Sequence, residues 1–163
     1  MKIQARKGVF ETNSSTVHTV TIFNEGTDYS QYVGKTFVLG KDVPDDILWG
    51  EHKRDPLYKM QQLWISMIGS YNPIYGYLRD CQTVKNAFAK IGINIEFTTD
   101  PDDFEKWNCE DLDEVYAVLS DEDEIINFVF NNDSWYDSYC DDCGEKDYYD
   151  EIREGSKIYQ DRR

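Results

Sequence analysis

The sequence predicts an α+β fold, a single compact domain over residues 1–163 with a small, mostly antiparallel sheet packed against two or three helices. Three observations lead there. Val17 to Ile22 alternates in the period of a half-buried strand. Leu57, Met60, Trp64, Met67 and Ile68 recur at helical spacing. Helical and strand patterns then follow one another without the regular alternation of a doubly wound sheet.

In chain order, the first strand puts His18, Val20 and Ile22 on one face and Val17, Thr19 and Thr21 on the other. Phe23-Asn24-Glu25-Gly26 reads as a turn, because Asn and Gly tolerate positive φ. A second strand is expected at Thr36 to Leu39. The central helix runs from Pro56 to Ser70, with Asp55 as its N-cap and Pro56 at the first helical position. Another helix spans about Gln82 to Ile91, presents Val84, Ala87, Phe88 and Ile91, and stops at Gly92. Ile93, Ile95 and Phe97 alternate with polar residues as a strand. Thr98 to Asp103 reads as a turn. Ser120 is expected to cap a helix through the apolar run Ile125 to Phe130, with the carboxylates after it favoured by the positive end of the helix dipole. Asn131-Asn132-Asp133 ends that helix, and Ser134 to Cys140 forms a last strand before the turn Cys140-Asp141-Asp142-Cys143-Gly144.

A chain of 163 residues can bury about 70% of the surface its unfolded form exposes, so it needs no covalent staples to fold. No run of 18 apolar residues occurs, and the N-terminal MKIQARKGVFETN lacks the apolar stretch of a secretory signal. A cytoplasmic location is therefore expected. There Cys81, Cys109, Cys140 and Cys143 become free thiols or metal ligands rather than disulfides.

The net charge of −15 is unevenly distributed. Residues 100–154 hold 21 Asp or Glu against Lys106, Lys146 and Arg153, whereas residues 1–99 are nearly neutral. An acidic block of this kind repels nucleic-acid phosphates and attracts a basic protein groove. The plain alternative is a solvated face with no partner. The candidate partner-binding carboxylates are Asp121, Glu122, Asp123, Glu124, Asp137, Asp141, Asp142, Glu145 and Asp147. Aromatic rings lie among them in Trp135-Tyr136-Asp137-Ser138-Tyr139 and Asp147-Tyr148-Tyr149-Asp150, where carboxylates could stand in for phosphates and rings could receive arginines. Trp135 itself is expected to pack into the core.

Cys140 and Cys143 form a CxxC knuckle whose sulfurs can reach one tetrahedral ion. Such a knuckle supplies two ligands, and Cys109, Cys81 or, alternatively, His18 could complete a structural zinc site. Inert thiols are the competing reading. Redox chemistry is disfavoured because Asp141, Asp142 and Glu145 would raise the thiol pKa. His18, on the face of Val20 and Ile22, is otherwise a hydrogen-bonded core residue, and His52 falls in a loop. Ser14, Ser15 and Thr16 near His18 do not form a nucleophile elbow. Paired acids such as Asp111 with Asp113 or Asp121 with Asp123 lack the Gly and terminal Glu of a calcium loop. No Gly-rich phosphate loop is present, and no catalytic residue is assigned.

Lys7-Gly8-Val9-Phe10-Glu11-Thr12-Asn13-Ser14-Ser15-Thr16-Val17-His18 resembles the N-terminus of a group of proteins from bacteriophages and mobile elements of Gram-positive bacteria, marked by a VFETNSSS-type signature followed by a His. Weaker similarity runs through residues 89–97 and 119–134. The CDDC knuckle is not a feature of the whole group. A phage origin combined with a compact acidic chain resembles the anti-CRISPR proteins, many of which occupy the nucleic-acid channels of host effectors. The resemblance implies a non-enzymatic inhibitor that binds a host CRISPR effector nuclease, of type II in the sharpest version, and blocks DNA loading or cleavage. A metal-dependent enzyme built around Cys140 and Cys143, and a phage structural or assembly component, are the alternatives.

Overall fold

The computed structural model describes residues 16–47, 54–69, 74–107, 112–140 and 157–162. The elements are β1 (Thr16–Ile22), β2 (Thr36–Leu39), α1 (Pro56–Gly69), α2 (Ile74–Ala89), β3 (Asn94–Phe97), α3 (Pro101–Trp107), α4 (Asp113–Ala117), α5 (Glu122–Phe130), β4 (Trp135–Cys140) and β5 (Lys157–Arg162). The α+β class holds, with five α-helices among the described residues where two or three are expected. Strands β4-β1-β5 make an antiparallel sheet with β1 in the centre, Thr21 facing Trp135 on one side and Ile158 on the other. A separate two-stranded sheet pairs β2 with β3 in parallel, Thr36 opposite Asn94 and Leu39 opposite Phe97.

Helix α1 is the axis of the core. Its start is built as its sequence requires: the Asp55 carboxylate accepts the Leu57 N–H at 2.8 Å, and Pro56 occupies a position where an N–H would have no partner. From Tyr58 to Met67 all but one of its residues are buried, so the helix is enclosed on nearly every side. Two members of the expected apolar stripe depart from it. Leu57 is 46% exposed and Ile68 only half-buried. Enclosure also draws Lys59, Gln62 and Ser66 inside. Lys59 Nζ donates to the carbonyls of Asn131 and Ser134, Gln62 Nε2 to that of Ile47, and Ser66 Oγ to that of Leu63.

Trp64, fully buried, knits four elements together. Its ring meets Phe104 of α3 edge-on at 5.4 Å, and its Nε1–H donates to the Tyr77 hydroxyl of α2. Tyr77 in turn packs edge-on against Phe97 of β3 and Phe104. Gly40, at the end of β2, lies against the same indole. A Cβ there would come within 2.5 Å of Trp64 and of Thr98, and its φ of +88° suits glycine alone.

Helix α2 begins at Ile74, eight residues before the sequence places it, because Tyr77 and Cys81 extend the buried face of Val84, Ala87 and Phe88 toward the N-terminus. Its end is as expected. Gly92 adopts φ +80° while Ile93 N–H bonds the Phe88 carbonyl and Gly92 N–H that of Ala89, the paired bonds of a Schellman stop.

The stretch expected to be a turn at Thr98 to Asp103 instead opens helix α3. Asp100 accepts the Asp102 N–H, and Pro101 takes the first helical position, the same device that starts α1. Helix α5 is capped by Asp121 rather than Ser120, whose hydroxyl turns back to the Ala117 carbonyl. Trp135 does not pack fully inward. It is half-buried, with the Arg54 guanidinium 4.6 Å over its ring. Among the described residues, no helix is long and apolar enough to cross a membrane.

Candidate functional site

The first turn of α5 is the densest described part of the acidic block, with four consecutive carboxylates at Asp121 to Glu124. Asp121 has extended backbone, and its carboxylate accepts the N–H of Asp123 at 2.8 Å and that of Glu124 more weakly at 3.4 Å. One negative charge thereby satisfies orphan donors at the helix end. Glu122, Asp123 and Glu124 follow within the same turn, where the helix dipole offsets part of their mutual repulsion.

Two of these four carboxylates are matched from within the chain. Glu122 forms an ion pair with Lys90, just beyond the end of α2, and Glu124 with Lys157 of β5. Both lysines are substantially exposed. The hydrogen bond to Glu122, reinforced by its charge, raises the Lys90 pKa. The pairs tie the start of α5 to the α2 terminus and to the edge of the antiparallel sheet. Asp121 and Asp123 remain exposed on the surface.

The other end of α5 is a buried polar hub. The Asn131 amide donates to the carbonyls of Phe23 and Glu25 and to Thr27 Oγ1, while its own oxygen accepts the Asp133 N–H. Ser134 Oγ accepts the Phe23 N–H at 2.8 Å. From the opposite side Lys59 donates to the main-chain carbonyls of Asn131 and Ser134, both at 2.8 Å, with the Phe128 ring 5.8 Å from its Nζ. Burial pulls the Lys59 pKa down to about 7, with Arg54 adding to the effect and Asp55 opposing it. The expected turn at residues 23–26 is thus held by the residues that end α5.

The expected metal ligands are distributed over several elements. Cys140 closes β4 opposite Thr16, and His18 lies on β1 between Ser138 and Asp161, with the side chains of both outside the described residues. Cys109 and Cys143 also fall outside the described residues, as do Asp141, Asp142, Glu145, Asp147 and His52. Asp137 is placed on β4 opposite Thr19, its side chain likewise not described. Cys81 is buried in α2. Burial pushes its thiol pKa up, against the hydrogen bond from Tyr77 and the charge of Lys85. Among the described residues, no three His, Cys, Asp or Glu side chains come together as a metal group.

Neither the Asp80 cluster nor Lys59 stands out in the sequence. Asp80 is 5% exposed. It accepts from the Tyr116 hydroxyl at 3.0 Å and pairs with Arg79 at 3.3 Å, joining α2 to α4. Burial, and then the Asp80 carboxylate, raise the Tyr116 pKa. Asp80 precedes the residues that the sequence marks as helical, so nothing local signals its burial.

No family model, no curated protein and no solved structure matches the chain. The functional reading therefore rests on its own charges and surfaces.

Proposed function

We propose that the protein is a non-enzymatic inhibitor that offers its acidic C-terminal third to a cationic cleft of another protein, specifically a CRISPR effector nuclease of a bacterial host, and so obstructs DNA loading or cleavage. The observation that carries this reading is the charge asymmetry. The negative charge resides after residue 99, where 22 Asp or Glu stand against six Lys or Arg, and Asp100, Asp102, Glu105, Asp121 and Asp123 are all exposed. A surface of this sign accelerates encounter with a basic groove and makes the association salt-sensitive, with screening over about 8 Å at physiological ionic strength. Lys90 and Lys157 already match Glu122 and Glu124. The first turn of α5 therefore contributes chiefly through Asp121 and Asp123. The proposal includes a structural zinc held through Cys140 and Cys143, for which their two-residue spacing is the support.

A cleavage assay with a purified type II nuclease tests the reading. Preincubation with a small molar excess of the protein is expected to suppress cleavage of target DNA, and added salt is expected to restore it. Full cleavage at large excess rejects the proposal. Elemental analysis of protein purified without chelators is expected to find one zinc per chain, and metal-free folded protein removes that part.

A further inference from the structure

A groove of about 450 Å³ opens between β2, the loop that follows it and the first turns of α1. Its apolar wall includes Phe37, Leu39, Pro44, Leu57, Tyr58 and Met60. Here lies the reason that Leu57, spaced as a core residue, is 46% exposed: it faces this groove and not the interior. Val38, 36% exposed, lines it from the strand side.

The wall contributed by β2 is also a strand edge. The Lys35 and Leu39 carbonyls accept the Asn94 and Thr98 N–H groups, so residues 35, 37 and 39 turn their polar groups toward β3. By the alternation of a strand, Thr36 and Val38 point theirs the other way. Gly40 confirms the direction, since its N–H meets the Gln61 side-chain oxygen at 2.8 Å while the Gln61 amide donates to the Lys41 carbonyl. Gln61 thus acts like a short piece of neighbouring strand that pairs the edge at Gly40 and Lys41. Among the described residues the Val38 edge just before it has no strand partner.

Charge indicates what fits. Among the described lining residues, Asp42, Asp46 and Asp55 stand against one cation, Lys41. Asp42 and Asp46 are exposed, and Asp46 uses its main-chain carbonyl, not its carboxylate, to accept the Tyr58 hydroxyl.

We propose that this groove binds an extended segment of a partner protein, in which apolar residues alternate with lysine or arginine, by adding it as a strand to the Val38 edge of β2. The main chain of the segment pairs with Val38, its apolar side chains enter beside Leu57 and Met60, and its cations meet Asp42, Asp46 and Asp55. Gln61 stops the added strand at Gly40. None of the described lining residues belongs to the acidic C-terminal third, so this site is tested independently of the nuclease reading.

The test uses the full chain and a fluorescein-labelled synthetic peptide alternating lysine with valine or isoleucine, read by anisotropy. Saturable one-to-one binding is expected, and a peptide with glutamate in place of lysine is expected not to bind. Leu57→Glu, at an exposed position, should weaken binding at least roughly tenfold, the equivalent of one lost apolar anchor. Val38→Pro removes the outward N–H from an edge strand, where proline is tolerated, and should weaken binding to a similar degree. Asp42→Asn with Asp46→Asn should cost severalfold and flatten the salt dependence, and asparagine keeps the left-handed backbone at position 42 accessible. Circular dichroism verifies that each variant is folded. No saturable binding by the folded wild-type chain overturns the proposal, as does binding untouched by Leu57→Glu and Val38→Pro, which would report charge alone. A dimer in sedimentation velocity that Leu57→Glu dissolves also overturns it, because a second copy would then cover the groove.

Discussion

Lys59 on α1 and the pair Lys90 and Lys157 around α5 are the same side chain used in opposite ways. Lys59 is buried with no carboxylate hydrogen-bonded to it, and its amine is held by two main-chain carbonyls. Lys90 and Lys157 are exposed lysines, each paired with a carboxylate that is itself mostly covered. The comparison teaches that partner identity matters less than desolvation. An ion pair whose cation stays in water gains little from the pairing, whereas a buried amine whose removal would strand two carbonyls holds a junction of the fold.

That contrast can be broken or sharpened experimentally, and the largest effect is expected in the interior. Gly40→Ala forces a methyl against Trp64 and Thr98 in left-handed backbone. It should cost about 3–5 kcal/mol, combining overpacking with strain, seen as a lower denaturation midpoint. Lys59→Ala should cost about 3 kcal/mol by leaving a cavity and two unsatisfied carbonyls, and Lys59→Met about half of that because it refills the space. A loss below 1 kcal/mol for the alanine variant would erase the distinction between the two kinds of lysine.

The Lys59 environment also makes stability depend on pH. Its folded pKa is lowered to about 7 while the unfolded chain keeps the ordinary lysine value of 10.5. Between these values the unfolded state binds a proton that the folded state does not, so stability rises with pH, by at most about 1.4 kcal/mol per unit. Below pH 7 this contribution is flat. Chemical denaturation at pH 7 and pH 9 should show the rise in the wild type and a smaller one in Lys59→Met.

Smaller effects are expected at the surface. Asp121→Ala removes the α5 cap and should cost about 1 kcal/mol, while Ser120→Ala should cost less. Glu122→Gln and Glu124→Gln, whose lysine partners are exposed, should each cost less than Lys59→Ala, and the loss should shrink in high salt. If either glutamate variant destabilised the fold as much as Lys59→Ala, the ranking of burial over pairing would fail.

Local chemistry made several elements legible. Asp55-Pro56 starts α1 and Gly92 stops α2 because cap geometry depends on a few adjacent residues. Asp100-Pro101 carries the same start signal as Asp55-Pro56, yet in an acidic stretch it reads as a turn. The helix there is secured by Phe104 packing on Trp64 and Tyr77 and by buried Trp107. Strand β5 offers only a weak alternation, and its identity comes from pairing with β1 at the far end of the chain. Of the candidate site, the placement of Asp121 and Asp123 at a helix entry was legible from their position before the apolar run Ile125 to Phe130. The matching of Glu122 and Glu124 by Lys90 and Lys157 had no local signal, because those lysines arrive from other elements.

By itself the sequence determined the α+β class, the start of α1, the stop of α2 and the excess of negative charge in the C-terminal third. These are properties of short spacings and of composition, which survive whatever the chain does at long range. Only the tertiary structure decided which charges are spent internally, that Lys59 lies inside, and that Leu57 lines a groove. Each of those depends on which distant segment packs against a helix face, and burial is a property of both surfaces at once.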